Sequence, residues 1–365
     1  MKIIHLITTL ERGGAEIAVK NLAIQQAKLH DVEILFLKGV PELESSLSDG
    51  GVSVNKILWQ KRLSRQLFEV IFFLKQKDSN TIFHCHLPRS ELIGLFGVVF
   101  SRSKTKFCVT RHNSEPFFPR IPHKLSSFLS RVVTGKAYLI IAISNAVGAY
   151  LRANHEVSRC RDVHIIHYGY ERKVTPPPRA KNKSNSELSA VRLGLIARLE
   201  HQKGIDLAIE TSSVLEKEGF AHTISILGEG SEKNFLRQLA SDHGVAKNIH
   251  FLGKRSEVTS LLSQLDLIIF PSRYEGLGLV LLEAMDFNIP IIASDIPSTL
   301  EVLGKNHPGL FRKGDTREMA IRIKSIARNS AVIKNILIIQ NRQLSLFSMD
   351  KYLQKHLDLY EDLNK

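Results

Sequence analysis

Residues 270–285 read Phe-Pro-Ser-Arg-Tyr-Glu-Gly-Leu-Gly-Leu-Val-Leu-Leu-Glu-Ala-Met. They continue the apolar run Leu267–Phe270, pass a turn carrying Gly276 and Gly278, and enter a second apolar series, Leu279–Met285. A short β-branched run, a glycine turn and a helix-length segment form the unit from which parallel sheets are wound. Glu275 stands in the turn and Glu283 about one turn into the helix, with seven residues between them.

The same alternation extends on both sides. Upstream, Arg192–Ile196, Thr223–Leu227 and Ile249–Leu252 read as strands, with helices expected over Ile205–Lys217, Ser231–His243 and Ser256–Gln264. Downstream, Ile289–Ala293 reads as a further strand. Earlier in the chain, Ile3–Thr8, Val32–Leu37, Thr81–Cys85, Phe107–Thr110, Tyr138–Ser144 and Val163–His167 read as strands. Helices are expected at Ile17–Leu29, Leu63–Lys75 and Leu92–Ser101. Between the two series, residues 173–189 hold three consecutive prolines and few apolar side chains, the composition of a linker. The expected organisation is therefore a first Rossmann-like domain over 1–172, the linker over 173–189, a second Rossmann-like domain over 190–340, and a C-terminal segment over 341–365. In that last segment Met349–Leu363 forms a helix that crosses back to the first domain. The fold class is α/β, two doubly wound domains facing a central cleft at the carboxyl ends of their strands, where open sheets of this kind bind ligands.

Composition narrows the function. A chain of 365 residues with 43% hydrophobic content is ordinary for a water-soluble protein of two domains. No apolar run reaches the roughly 18 residues that a membrane-spanning helix needs. The start, Met1–Thr8, reads as a first strand rather than a signal peptide. Cys85, Cys108 and Cys160 have neither metal-ligand spacing nor even pairing, which suits a reducing cytoplasm. The net charge of +14 is uneven: residues 1–180 carry 26 Lys and Arg against 14 Asp and Glu, and residues 181–365 carry 24 against 22. A basic first half suits an anionic partner or a solvated basic face.

Polar residues gather where strands end. Gly13-Gly14-Ala15-Glu16 follows the first strand and opens the first helix, where a backbone without side chains lets a ligand approach and the helix start favours negative charge. It is not a full dinucleotide fingerprint. Arg198 and Lys203 lie in the turn Ala-Arg-Leu-Glu-His-Gln-Lys-Gly after the strand Arg192–Ile196. An arginine fork and a lysine point charge neutralise a diphosphate without a metal. Gly276, Leu277, Gly278 and Leu279 turn backbone amides towards the same end of the sheet, while Glu275 and Glu283 are acceptor-only groups suited to sugar hydroxyls. Two cations and two carboxylates in successive turns are what a nucleoside diphosphate sugar requires.

The first domain offers His86, at the end of the strand Thr81–Cys85, as a hydrogen-bond donor or as a core histidine. The polar stretch Arg111, His112, Asn113 is expected to face an acceptor. His84-Cys85-His86 shows no further metal-ligand group nearby in sequence, and no Asp-x-Asp occurs anywhere, so no metal site is expected. Phe117–Lys136 places Leu125, Phe128, Leu129 and Val132 at helical spacing among Arg120, Lys124, Arg131 and Lys136. Such a helix either lies on an anionic membrane or packs in a core with a solvated basic side.

These motifs together resemble the retaining family-4 glycosyltransferases of GT-B fold. The resemblance runs from Gly13–Glu16 through Arg198 and Lys203, Leu227-Gly228-Glu229-Gly230 and Pro271–Gly278 to Glu283-Ala284-Met285, and ends in Phe347-Ser348 and Tyr352 to Glu361. It implies that Arg198 and Lys203 bind the donor diphosphate. Glu275 would contact the transferred sugar, Glu283 the ribose, Gly14 the phosphates and His86 the sugar. It implies retaining, metal-independent transfer with no cofactor beyond the nucleotide-sugar donor. One departure is Ile165-Ile166-His167-Tyr168-Gly169-Tyr170, where many members carry Pro-Asn-Gly.

The expected function is transfer of a sugar from a UDP- or GDP-sugar to a cell-surface polysaccharide or lipid-linked glycan acceptor. The expected location is cytoplasmic, peripheral at the inner face of the membrane through the basic first half, with no nucleic-acid partner. A nucleotide-sugar epimerase of the same fold and a basic nucleic-acid-binding protein are the alternatives.

Overall fold

The computed structural model describes residues 1–172, 190–254 and 259–363. The expected linker at 173–189, and the start of the helix expected over Ser256–Gln264, lie outside the described residues. The chain forms two compact units, Met1–Tyr170 with Phe347–Lys365, and Glu171–Leu346.

The first unit winds β1 (Lys2–Ile7), α1 (Gly14–Ala27), β2 (Asp31–Phe36), α2 (Glu44–Asp49), β3 (Ser53–Asn55) and α3 (Leu63–Lys75). It continues with β4 (Thr81–His86), α4 (Pro88–Ser101), β5 (Lys106–Arg111), α5 (His123–Lys136), β6 (Leu139–Ala142), α6 (Asn145–Ala153) and β7 (His164–Ile165). The seven strands are parallel in the order β3-β2-β1-β4-β5-β6-β7. The central strands are buried along almost their whole length, because helices cover a parallel sheet on both faces and leave no solvent side for alternation to mark. Helix α1 packs on α2, while α3 packs on α4 and α4 on α5.

The second unit winds β8 (Val191–Ile196), α7 (Ile205–Lys217), β9 (His222–Leu227), α8 (Lys233–Asp242), β10 (Ile249–Gly253), α9 (Thr259–Leu262) and β11 (Leu267–Phe270). It then adds α10 (Leu279–Asp286), β12 (Ile291–Ser294), α11 (Pro297–Leu303), β13 (Leu310–Phe311), α12 (Thr316–Ala327) and α13 (Ser330–Leu344). Its six parallel strands run β10-β9-β8-β11-β12-β13 over a core that includes Leu193, Leu195, Ile224, Ile226, Leu267 and Ile269. A boundary expected at residue 340 falls inside α13. Gln340 is buried there, accepting from the Ile291 amide and donating to the Ile289 carbonyl, so α13 is tied to the second sheet.

The last helix, α14 (Met349–Asp362), belongs to the first unit. It packs on α1 and buries Tyr352, Leu357 and Tyr360. Ser348 caps its start by accepting from the Lys351 amide, and Tyr170 pairs with Ser348 in an isolated bridge.

Each sheet has one place where the winding reverses. In the first it lies between β1 and β4, in the second between β8 and β11. Loops leaving neighbouring strands there diverge to opposite faces and open a crevice at the carboxyl ends.

Candidate functional site

The second unit's crevice collects the residues that the sequence singles out. The loop after β8 carries Arg198 and Lys203, and the loop after β11 carries Glu275 and the turn Gly276–Gly278. Lys203 Nζ meets Glu275 Oε1 at 2.5 Å, with side chains only 16% and 8% exposed. Ser272 Oγ donates to the same carboxylate oxygen at 2.9 Å. Ser294, at the end of β12, donates in turn to the Ser272 carbonyl at 2.6 Å, so the position of Glu275 is fixed from the sheet upward.

The two loops are stitched together. The Arg273 amide donates to the Gln202 carbonyl at 2.8 Å, and Gln202 Nε2 donates to the Tyr274 carbonyl at 3.0 Å. Arg273 also grips Asp206, in the first turn of α7, with two parallel bonds of 2.8 and 2.5 Å, and this pairing holds the Asp206 carboxyl below its usual range despite its burial. Gly204 makes the approach feasible: its φ is +64°, and a Cβ there would stand 2.1 Å from the Pro271 carbonyl oxygen. Neither Ser272, Gln202 nor the Arg273–Asp206 pair was singled out from the sequence. Their role lies in positioning, and nothing in their local spacing distinguishes them.

Arg198 differs from Lys203. Its side chain is exposed, and among the described residues it has no hydrogen-bond or ion-pair partner. Glu283 is half-buried on α10, about one turn into the helix. Helix α10 follows Gly278, whose φ is +94° and which has no side chain to cap the first amides. A helix start of this kind, beside one exposed and one shielded cation, has the electrostatics of a site for a multiply charged anion.

In the first unit, Gly13 and Gly14 open α1 beside the β1–β4 crevice. Glu16 lies in the first turn, where it accepts from Thr9 Oγ1 at 2.7 Å. Asn113 is exposed and donates to Glu115 at 2.7 Å. Arg111 is buried: it lies 3.0 Å from Glu91 and 3.4 Å from Glu156, with its guanidinium over the Phe117 ring at 4.2 Å. Burial raises the Glu91 carboxyl to about 7, against the pull of Arg111 and with the push of Glu156.

His86 and His112 are buried as well, inside a network that sequence spacing does not show. Parallel register sets His5 of β1 beside His84 of β4, which adds a third histidine to the pair and corrects the expectation that no partner group lies near. All six of their ring nitrogens are engaged in hydrogen bonds. His84 meets Tyr360 of α14 and Thr110. The other rings form a chain: Tyr168 Oη to His112 at 2.5 Å, His112 to His86 at 3.1 Å, His86 to His5 at 3.0 Å and His5 to Gln26 at 2.7 Å. With each ring neutral and protonated on Nε2, every link of that chain has one donor and one acceptor. Burial enforces neutrality, lowering His5 to about 4 and His112 to about 3, and His84 and His86 well below their ordinary value.

Two family models match the chain, one described as Glycosyltransferase Family 4 over residues 12–173 and one as Glycosyl transferases group 1 over residues 178–340. The O-antigen biosynthesis glycosyltransferase WclY of Escherichia coli is 28% identical over 314 residues, covering 83% of this chain and 82% of that one. The lipopolysaccharide core biosynthesis mannosyltransferase LpsB of Rhizobium meliloti is 28% identical over 187 residues, 48% of this chain and 51% of its own. Among solved structures, Anabaena Alr3699/HepE in complex with UDP and glucose superposes with a TM-score of 0.83 at 18% identity, over 98% of both chains. At that identity the likeness is one of fold.

Proposed function

Since the chain belongs to the family-4 type of glycosyltransferases, with two Rossmann-like units of the GT-B fold, we propose that it transfers a sugar from a UDP- or GDP-sugar to a surface polysaccharide or lipid-linked glycan, with retention and without a metal. The observation that carries this reading is the arrangement at the ends of β8 and β11: Arg198 exposed and, among the described residues, without a side-chain partner, Lys203 held against Glu275, and the start of α10 following Gly278 in the same loop. A diphosphate placed there meets two cations and a helix start. As the bond to the sugar breaks, negative charge gathers on the departing phosphate, and fixed cations stabilise that charge more than they stabilise the bound donor.

Glu275 has a dual part in this proposal. Before the donor binds it neutralises Lys203 inside the protein. When phosphate oxygens take over Lys203, the carboxylate is released to accept from hydroxyls of the transferred sugar. Glu283, further along α10, accepts from the ribose. Gly13 and Gly14 leave the loop after β1 free of side chains that would bar a ligand's approach, and Asn113 is assigned to the acceptor. The O-antigen and lipopolysaccharide roles in the names of WclY and LpsB support the acceptor class, and the UDP and glucose bound by HepE support the donor class.

The test is a panel of UDP- and GDP-sugars offered to the intact protein with lipid-linked glycan acceptors, read by mass spectrometry and by NMR of the new anomeric centre. A new α-linkage from an α-configured donor, formed equally with and without EDTA, is expected. Epimerised donor with no glycoside formed, or an inverted linkage, contradicts the proposal.

A further inference from the structure

We propose that the outer face of α3, α4 and α5 docks on an anionic lipid surface. The observation is the inside-out arrangement of α5. Its buried positions are mostly small and polar, Ser126, Ser127, Ser130 and Thr134, while Leu125, Phe128 and Val132 point to solvent. The buried hydroxyls are satisfied within the fold: Ser130 and Thr134 donate to the Glu156 carbonyl, and Ser126 Oγ accepts from the Phe118 amide. A helix at a water-facing surface normally turns its apolar stripe inward. This one is anchored by hydrogen bonds and presents its apolar stripe outward.

The neighbouring helices do the same. On α4, Phe96, Val99 and Phe100 are exposed at a spacing of i, i+3, i+4, and the rings of Phe96 and Phe100 stack with centroids 5.8 Å apart. On α3, Phe68 and Phe72 are exposed one turn apart. Because α3 packs on α4 and α4 on α5, three outward apolar stripes stand on adjacent helices of one layer. Phe68, Phe100 and Phe128 are each 60–61% exposed, a heavy cost in water unless something covers them.

Charge identifies the cover. Exposed cations border the stripes: Lys75 on α3, Arg102 and Lys104 after α4, Lys124 and Arg131 on α5. The acidic residues of these helices, Glu69 and Glu91, are both buried against cations. A second copy of this face would set basic groups against basic groups across a two-fold axis. Nucleic acid would use the cations and the rings but not the aliphatic Val99, Leu125 and Val132. A bilayer uses all of them: acyl chains receive the stripes and acidic headgroups meet the rim. This inference needs no donor chemistry and stands apart from the transferase reading.

The test is flotation of the full-length protein with vesicles of phosphatidylcholine alone or mixed with phosphatidylglycerol. Wild-type protein is expected to float with the mixed vesicles, to stay behind with phosphatidylcholine, and to be released by high salt. Phe100→Ser/Phe128→Ser is expected to weaken binding about tenfold, and Lys124→Glu/Arg131→Glu on the order of a hundredfold. Both replace exposed side chains, so melting temperature and UDP binding stay as in wild type. The inference is overturned if wild-type protein ignores mixed vesicles at low salt, or if Phe100→Ser/Phe128→Ser floats as well as wild type. It is equally overturned if these variants instead dissolve a dimer seen by sedimentation equilibrium, or if single-stranded DNA displaces the vesicles.

Discussion

Lys203 and Glu275 neutralise each other where little water reaches, so each is both a ligand group and a support of the fold. Lys203→Ala takes the lysine's charge away from a shielded carboxylate and is expected to cost roughly 2–4 kcal/mol in urea denaturation. Adding Glu275→Gln to it should restore much of that loss, because no charge then remains unpaired. Arg198→Ala removes an exposed, unpartnered group and should leave the urea midpoint where it was. Loss of stability on Arg198→Ala, or none on Lys203→Ala, would contradict this assignment. The sequence reading picked out the four charged groups from their place in the loops and helix that follow β8 and β11. That Glu275 spends its charge on Lys203 was not legible there, since it depends on two loops 72 residues apart in the chain meeting at Gly204. The sequence reading aimed His86 and Arg111 at ligands, whereas the structure gives both side chains buried partners within the first unit.

At the scale of elements, the strands announced themselves best. Leu267–Phe270 was read to the residue, and the strands and helices from β8 to α10 whose elements are fully described were found within two residues at each end. No element was expected between Ala293 and Met349, where the structure places α11, β13, α12 and α13. β13 has two residues, too few for any alternation to register. α12 did carry a signal, in Met319, Ala320, Ile323 and Ile326 at helical spacing behind an Asp315 cap that accepts from the Glu318 amide. The spacing 125, 128, 132 gave α5 its helical state but not its orientation, because periodicity marks a stripe without saying which way it faces. Only the acceptors offered by Glu156 decide that the hydroxyl side turns inward. Gly204 tests how the β8 and β11 loops meet. Gly204→Ala combines a positive φ with a clash against Pro271 and should destabilise the protein by about 2 kcal/mol or more while weakening donor binding. An unaltered urea midpoint would show that the loops do not meet as described.

The acid sensitivity of the molecule lies in its buried histidines, most of them in the first unit, with His307 of the second unit also lowered to about 4 by burial. His5 and His356 are lowered to about 4 and His112 to about 3, by burial first of all. Unfolded, these rings regain an ordinary value near 6.5, so the unfolded chain binds more protons between pH 6.5 and about 4. Stability is therefore full above pH 6.5 and falls as the pH drops through that window. Glu91, raised to about 7, works in the opposite sense, binding a proton in the folded state that the unfolded carboxyl has lost above pH 4.5. It trims stability as pH rises from 4.5 to 7, but one carboxyl stands against several histidines, so the net slope is positive. Urea midpoints measured from pH 7.5 to 4.5 should fall continuously, and His5→Gln with His84→Gln should flatten the curve. A pH-independent midpoint would remove the neutral-histidine network from the account. The network was hidden from the sequence because it needs the register of β1 against β4 and the return of α14, both long-range.

The central claim is that the second unit grips a nucleoside diphosphate with Arg198 and Lys203. Calorimetric titration of UDP and GDP into the intact wild-type protein and Arg198→Ala tests it most directly. The account predicts binding of at least one nucleotide and a loss of about tenfold or more in Arg198→Ala at unchanged melting temperature, the worth of one charge-assisted hydrogen bond. Binding of neither nucleotide, or equal affinity in the two proteins, would contradict it.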